Sequence, residues 1–214
     1  VFSIARIDRA YNGMIDMPLT MSIPFLIIIG ASFGSFLNVV IYRVPLKMSL
    51  ITPRSHCFNC KSPIKAINNI PVIAYFLLRG KCNNCGIKFP SRYAFVELIT
   101  SILTLIIFTI YGLTTSFLIY LALVYLLIAI TFVDIDHFII PNGFIITGLC
   151  ILGIGIQLKW ISIDWIDAAS GAFVFAGFLF TIGLIGQFIL KKESIGFGDV
   201  KLGLVLGGFL GVEY

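Results

Sequence analysis

The sequence predicts an all-α polytopic membrane protein with about six membrane helices. Three observations lead there. Of 214 residues, 59% are hydrophobic and 12% charged, with a mean hydropathy of +1.05, whereas soluble domains carry roughly 25% charged residues. The apolar residues fall in runs of the roughly 20 residues that a helix needs to cross a hydrocarbon core. Continuous runs such as 117–133 also exclude a membrane β-barrel, whose strands alternate over about ten residues.

Taken in order, residues 1–22 form an N-terminal segment with Arg6, Asp8, Arg9 and Asp16 and no apolar run of their own, which excludes a signal peptide. Val1 at the start is compatible with a processed end or an unusual start codon, and Met17 or Met21 are equally sensible starts. Spans are expected at about 23–42, 93–112, 115–133, 143–160 and 168–190. A sixth begins at about 200 and meets Tyr214 after 15 residues, short of the roughly 17 that crossing requires, so further sequence is expected beyond it.

The loop 43–92 holds nine of the 15 Lys and Arg residues: Arg43, Lys47, Arg54, Lys61, Lys65, Arg79, Lys81, Lys88 and Arg92. By the positive-inside rule it is cytoplasmic. Alternation then puts 134–142 and 191–199 on the same side, where Lys191 and Lys192 agree. The net charge of +5 is accounted for by topology and contact with anionic lipid headgroups, with no nucleic acid required. Gly148, Gly153 and Gly155 in one span, and Gly171, Gly177, Gly183 and Gly186 in another, suit close helix packing.

Within that loop, Cys57-Phe-Asn-Cys60 is followed after 21 residues by Cys82-Asn-Asn-Cys85. Two such knuckles point four thiolates at one centre, the arrangement of a closed structural zinc site. A reducing cytoplasm argues against disulfides. Four reduced cysteines without metal and a rubredoxin-like iron are the alternatives. His56 reads as a solvated loop residue rather than a ligand, and Cys150, inside a span, as a packing residue.

Acidic residues number ten, so those at membrane boundaries are informative. Asp134, Asp136 and His137 follow one span. Asp199 closes Gly196-Phe-Gly198-Asp199 before the last. Carboxylates beside hydrocarbon are costly and are functional candidates by default, although such residues can also merely end a helix. Brought together, two aspartates share a proton, and one acts as a base on water while the other donates a hydrogen bond to a carbonyl. Glycines at 196 and 198 let a substrate backbone approach Asp199. Pro141 breaks a helix near the same mouth.

The motifs together resemble the prepilin peptidases, the type IV leader peptidase family of GxGD membrane aspartic proteases. The resemblance runs from Gly34-Ser-Phe-Leu-Asn-Val-Val-Ile-Tyr-Arg-Val-Pro45 through the cysteine loop, Leu78-Arg-Gly-Lys-Cys82 and Arg92-Tyr-Ala-Phe-Val-Glu-Leu-Ile-Thr100 to both aspartate motifs. It implies cleavage of prepilins or pseudopilins at the cytoplasmic face of the bacterial inner membrane. It also implies methylation of the new N-terminal amine from S-adenosylmethionine. The family's first catalytic aspartate, seven residues before a proline, maps onto Asp134 with Asp136 as its rival, and the second maps onto Asp199. Gly80, Lys81 and Glu97 resemble positions tied to methyl transfer, although Lys81 also reads as a topogenic charge and Glu97 as a partner of Arg92. Lys201 is a candidate counter-charge for the aspartates. The sequence departs from the family at Asn142, where many members have aspartate, and at Ala94, where many have proline. The implied organisation is an extracytoplasmic segment 1–22, a span 23–42, a cytoplasmic zinc-binding loop 43–92 serving methyl transfer, and a protease region 93–214. A transporter relaying protons through its carboxylates and a non-enzymatic assembly subunit are the competing classes; clustering of the acids at one face rather than mid-membrane favours proteolysis. Oligomeric state is not legible.

Overall fold

A computed structural model describes residues 19–57, 59–64, 70–191 and 196–212. The expected N-terminal segment up to residue 18, together with Lys65 and Lys192, falls outside them. Among the described residues there are seven helices: α1 (Leu19–Arg43), α2 (Ile73–Leu77), α3 (Arg92–Tyr111), α4 (Thr115–His137), α5 (Asn142–Gln157), α6 (Trp165–Leu190) and α7 (Phe197–Leu210). No strand occurs among the described residues, only two isolated β-bridges. Helices α1, α3, α4 and α6 are long and apolar enough to cross a membrane, while α5 with 16 residues and α7 with 14 fall short of a full crossing.

The helix ends differ from the expected ones for local reasons. Helix α4 runs on to His137, one turn past the expected 133, and stops only where Phe138 takes a left-handed φ of 54°. Asp134 and Asp136 therefore lie on its last turn. Pro141 occupies the N-cap of α5, so it opens a helix rather than breaking one; a residue without an N–H is well placed there because that donor would have no helical partner. Helix α6 begins at Trp165 because Asp164 caps it, its Oδ1 accepting from the amides of Ile166 at 2.9 Å and Asp167 at 2.8 Å.

The chain divides into two compact units, residues 1–117 with 127–132, and 118–126 with 133–214. In the first, α1 packs on α3. A Cβ on Gly30 would stand 2.7 Å from Ser101 Cα, and one on Gly34 2.6 Å from Glu97 Cα, so only glycine admits this backbone approach. The polar residues along the contact satisfy themselves: Thr100, Ser101 and Thr104 donate to the carbonyls of Val96, Glu97 and Thr100, and Ser101 also reaches Ile27 O across the interface.

In the second unit, α6 and α5 each pack on α7. Gly171 and Gly207 face one another so closely that a Cβ on either would collide with the other's carbonyl oxygen. Of the glycines marked in the sequence, Gly148 lies against Val205, whereas Gly153 has only Trp165 nearby and Gly177 faces open space. Gly171→Leu is therefore expected to prevent recovery of folded protein. Gly177→Leu should melt within a few degrees of wild type, as checked by thermal unfolding in detergent. Equal melting of the two variants would show that the α6–α7 crossing is not set by glycine.

Candidate aspartate cleft and metal centre

Two aspartates separated by 65 residues of sequence line one cleft of about 270 Å³ in the second unit, together with Phe138, Ile139, Gly198 and Lys201. Asp134 is half-buried on the last turn of α4, and Asp199 is exposed on the first turn of α7. The turn at Asp199 is fixed by its own backbone, whose amide donates to Gly196 O at 3.0 Å. Each glycine of the Gly196-Phe-Gly198-Asp199 motif has a visible steric reason. A Cβ on Gly196 would lie 3.3 Å from Asp199 Oδ2, and one on Gly198 3.2 Å from Ile140 Cβ. Their absence keeps the carboxylate accessible and lets α7 seat against the segment that leads into Pro141. Asp136, exposed two residues beyond Asp134, does not line the cleft.

Lys201 projects into the same cleft, but its ammonium is engaged: it donates to Asn142 Oδ1 at 2.9 Å and lies 4.8 Å above the Phe197 ring. The site thus presents two carboxylates and one cation against an apolar wall of Phe138 and Ile139.

The four cysteines form the second centre. Their sulfurs all lie within 4.8 Å of one another, with Cys57 to Cys85 at 3.8 Å and Cys60 to Cys82 at 3.9 Å. A tetrahedron with metal–sulfur bonds of about 2.3 Å has edges of roughly 3.8 Å, so the donor set matches four-thiolate zinc in chemistry and dimension. His56 is not part of it; its Nδ1 lies 3.0 Å from Arg54 O.

The two knuckles are built alike. In each, the first cysteine accepts from the amide four residues on, Lys61 N to Cys57 O and Gly86 N to Cys82 O, and that residue has positive φ, 56° and 72°. Each also closes with a β-bridge from the residue before the first cysteine to the one six after it, His56 to Pro63 and Lys81 to Lys88. The sulfur environment favours thiolate at two positions. The Ser62 hydroxyl, then its amide, then the Asn84 side chain lower Cys60 to about 5, and the amides of Cys85 and Asn84 lower Cys82. Cys57 goes the other way: the Cys60 amide lowers it, but desolvation and the sulfurs of Cys82 and Cys60 together raise it. Four unbound thiolates would repel one another, whereas a bound divalent cation would hold all four deprotonated.

The three residues matched to methyl transfer are placed as follows. Gly80 is buried under the Tyr75 ring with φ of 63°, where a Cβ would meet Tyr75 Cζ at 2.8 Å. Lys81 is exposed. Glu97, 8% exposed, accepts from the Val72 amide at 2.6 Å, so its carboxylate fastens the chain entering α2 to α3. Sequence reasoning missed that contact because a backbone amide carries no sequence signature. Cys150 is exposed on α5 rather than packed, where a thiol behaves as a small hydrophobe on an apolar helix.

The fold and these two centres define a polytopic helical membrane protein with a cleft lined by two aspartates and a tetracysteine loop compatible with a bound zinc. Comparison with known proteins adds a family. Residues 28–111 match the Bacterial Peptidase A24 N-terminal domain, and residues 121–214 match the Type IV leader peptidase family. The chain is 32% identical over 202 residues to the Type 4 prepilin-like proteins leader peptide-processing enzyme of Escherichia coli, covering 85% of this chain and 74% of that protein. It is 30% identical over 224 residues to a Prepilin leader peptidase/N-methyltransferase of Burkholderia pseudomallei, covering 92% and 72%. A shorter stretch of 79 residues is 46% identical to the Prepilin leader peptidase/N-methyltransferase of Myxococcus xanthus, covering 37% of this chain and 24% of that protein. The chain belongs to the type IV leader peptidase family, and it spans from about a quarter to about three-quarters of the length of these relatives. No solved structure matches it.

Proposed function

We propose that this chain is the membrane aspartic endopeptidase that removes the leader peptide from type IV prepilins or pseudopilins, and that it N-methylates the residue so exposed. The observation that carries the reading is the cleft that Asp134 and Asp199 line together. In this reading one carboxylate takes a proton from an attacking water while the other donates a hydrogen bond to the scissile carbonyl oxygen. The C–O bond forms, the C–N bond breaks, and the amine leaves with a proton returned by the pair. Phe138, Ile139 and Phe197 would receive the apolar helix that follows the cleavage point. Nine cations in residues 43–92 support a cytoplasmic cysteine loop and cytoplasmic chemistry. Cys57, Cys60, Cys82 and Cys85 would hold a structural zinc. Gly80, Lys81 and Glu97 would serve the methyl transfer, with S-adenosylmethionine as donor.

Co-expression with a candidate prepilin tests both activities by product mass: loss of the leader reports cleavage, and a gain of one methyl group reports methylation. Intact prepilin with the full-length enzyme would refute the assignment. The same assay distinguishes two roles for Glu97. Its carboxylate fixes the Val72 amide, so Glu97→Ala should lose methylation, whereas Glu97→Gln, which still accepts that bond, should retain most of it. Equal loss in both would mean that the charge of Glu97 serves the methyl transfer directly.

A further inference from the structure

Arg43 ends α1 and is only 6% exposed. Its guanidinium donates to two backbone carbonyls, Ser49 O at 2.7 Å and Pro53 O at 2.6 Å, which use two of its five N–H donors. Among the described residues no carboxylate pairs with it. Residues 17–96 contain nine Lys and Arg and not one Asp or Glu. Glu97, the next acid after Arg43 along the chain, is engaged by the Val72 amide. Neither Arg43 nor Arg54 forms an ion pair with a described residue. A buried cation that meets only neutral acceptors is costly, and an anion brought to it would offset much of that cost.

The space for one exists. Arg43 and Arg54 line a cleft of about 350 Å³, and its other walls include Phe36, Val39, Ile51 and Pro53. Phe36, Val39 and Arg43 follow one another at i, i+3 and i+7 on α1, so they lie along one helical stripe. The stripe runs from an aromatic ring that is half exposed within the candidate span 22–43 to a cation where the helix ends. Ile51 on the facing loop is 85% exposed, another apolar group with nothing over it. Two arginines at one end and uncovered apolar groups at the other match an amphiphile with an anionic head.

We propose that this cleft binds the phosphodiester headgroup of one anionic phospholipid, with Arg43 and Arg54 on the phosphate and the first acyl segment against Phe36 and Val39. Arginine suits the role because its planar fork bonds phosphate oxygens in pairs and is weakly hydrated. The site is independent of peptide cleavage, and its assay reads lipid rather than product.

Native mass spectrometry of the full-length protein released from detergent tests it, with phosphatidylglycerol, phosphatidylcholine and inorganic phosphate as probes. One phosphatidylglycerol should be retained per chain, about tenfold above phosphatidylcholine, the scale of a lost charge-assisted bond. Arg43→Gln also removes the bonds to Ser49 and Pro53 and so risks the loop itself. Arg54→Gln and Val39→Trp spare those bonds, and each should lower retention about tenfold. Lys88→Gln, which removes one charge from the same loop away from the cleft, should leave it unchanged. Equal retention of the two lipids, equal loss in Lys88→Gln and Arg54→Gln, unchanged retention in Val39→Trp, or displacement by millimolar inorganic phosphate would each overturn the assignment.

Discussion

Asp134→Asn and Asp199→Asn should each lower leader cleavage by roughly 10²- to 10⁴-fold, while Asp136→Asn keeps most of it. The amide is nearly isosteric with the carboxylate, so cleft shape is preserved, but it can neither accept the proton from attacking water nor share one with its partner. Folding should change little. Asp134 is half-buried and Asp199 exposed, and substitutions at such positions usually move stability by about half a kcal/mol. Thermal unfolding in detergent alongside the cleavage assay separates the two effects. Asp136 makes the informative control because it shares α4's last turn and charge with Asp134 yet does not line the cleft. An inactive Asp136→Asn beside an active Asp134→Asn would reverse the assignment of the pair.

The helical class and the gathering of the four cysteines were legible in the sequence because each rests on a local pattern. Twenty apolar residues can only be buried in lipid or core, and two CxxC pairs place four sulfurs at one centre whatever lies between them. Helix ends were less legible. Nothing in Val133-Asp134-Ile-Asp136 forces an end, and the helix stops only at the left-handed Phe138. Least legible were contacts in which one partner is backbone. Gly171 and Gly177 look alike in sequence, yet only Gly171 falls on the crossing with Gly207, because the rotation of α6 is set by everything else that it packs against. Gly30 and Gly34, which set the α1–α3 approach, carried no mark of packing in the sequence beyond their spacing of four, although Gly34 opens the stretch that carries the family resemblance. The bonds of Arg43 to Ser49 O and Pro53 O were hidden for the same reason: the sequence shows a positive charge at the end of a span and not the carbonyls that it gathers.

Purified, unchelated protein should contain about one zinc per chain, and Cys82→Ser should abolish it. The four sulfurs lie within 4.8 Å of one another, with two separations at 3.8 and 3.9 Å, so small side-chain movements complete a tetrahedral thiolate shell, and in small zinc modules the metal supplies about 10–16 kcal/mol at neutral pH. Among its described residues the cysteine loop has no strand and one five-residue helix, Ile73–Leu77, a small core to set against loss of the metal. Metal loss should therefore unfold it and not merely loosen it. Limited trypsin digestion gives the readout. Arg79, Lys81 and Lys88 flank or lie within the second knuckle and should become cleavable in Cys82→Ser or after chelation. Methylation should fall with loop structure, whereas peptide cleavage should survive in part, since Asp134 and Asp199 belong to the other compact unit. Zinc near zero in untreated protein whose loop still resists trypsin would refute a structural metal, and a coloured, redox-active centre of the same stoichiometry would identify iron in its place.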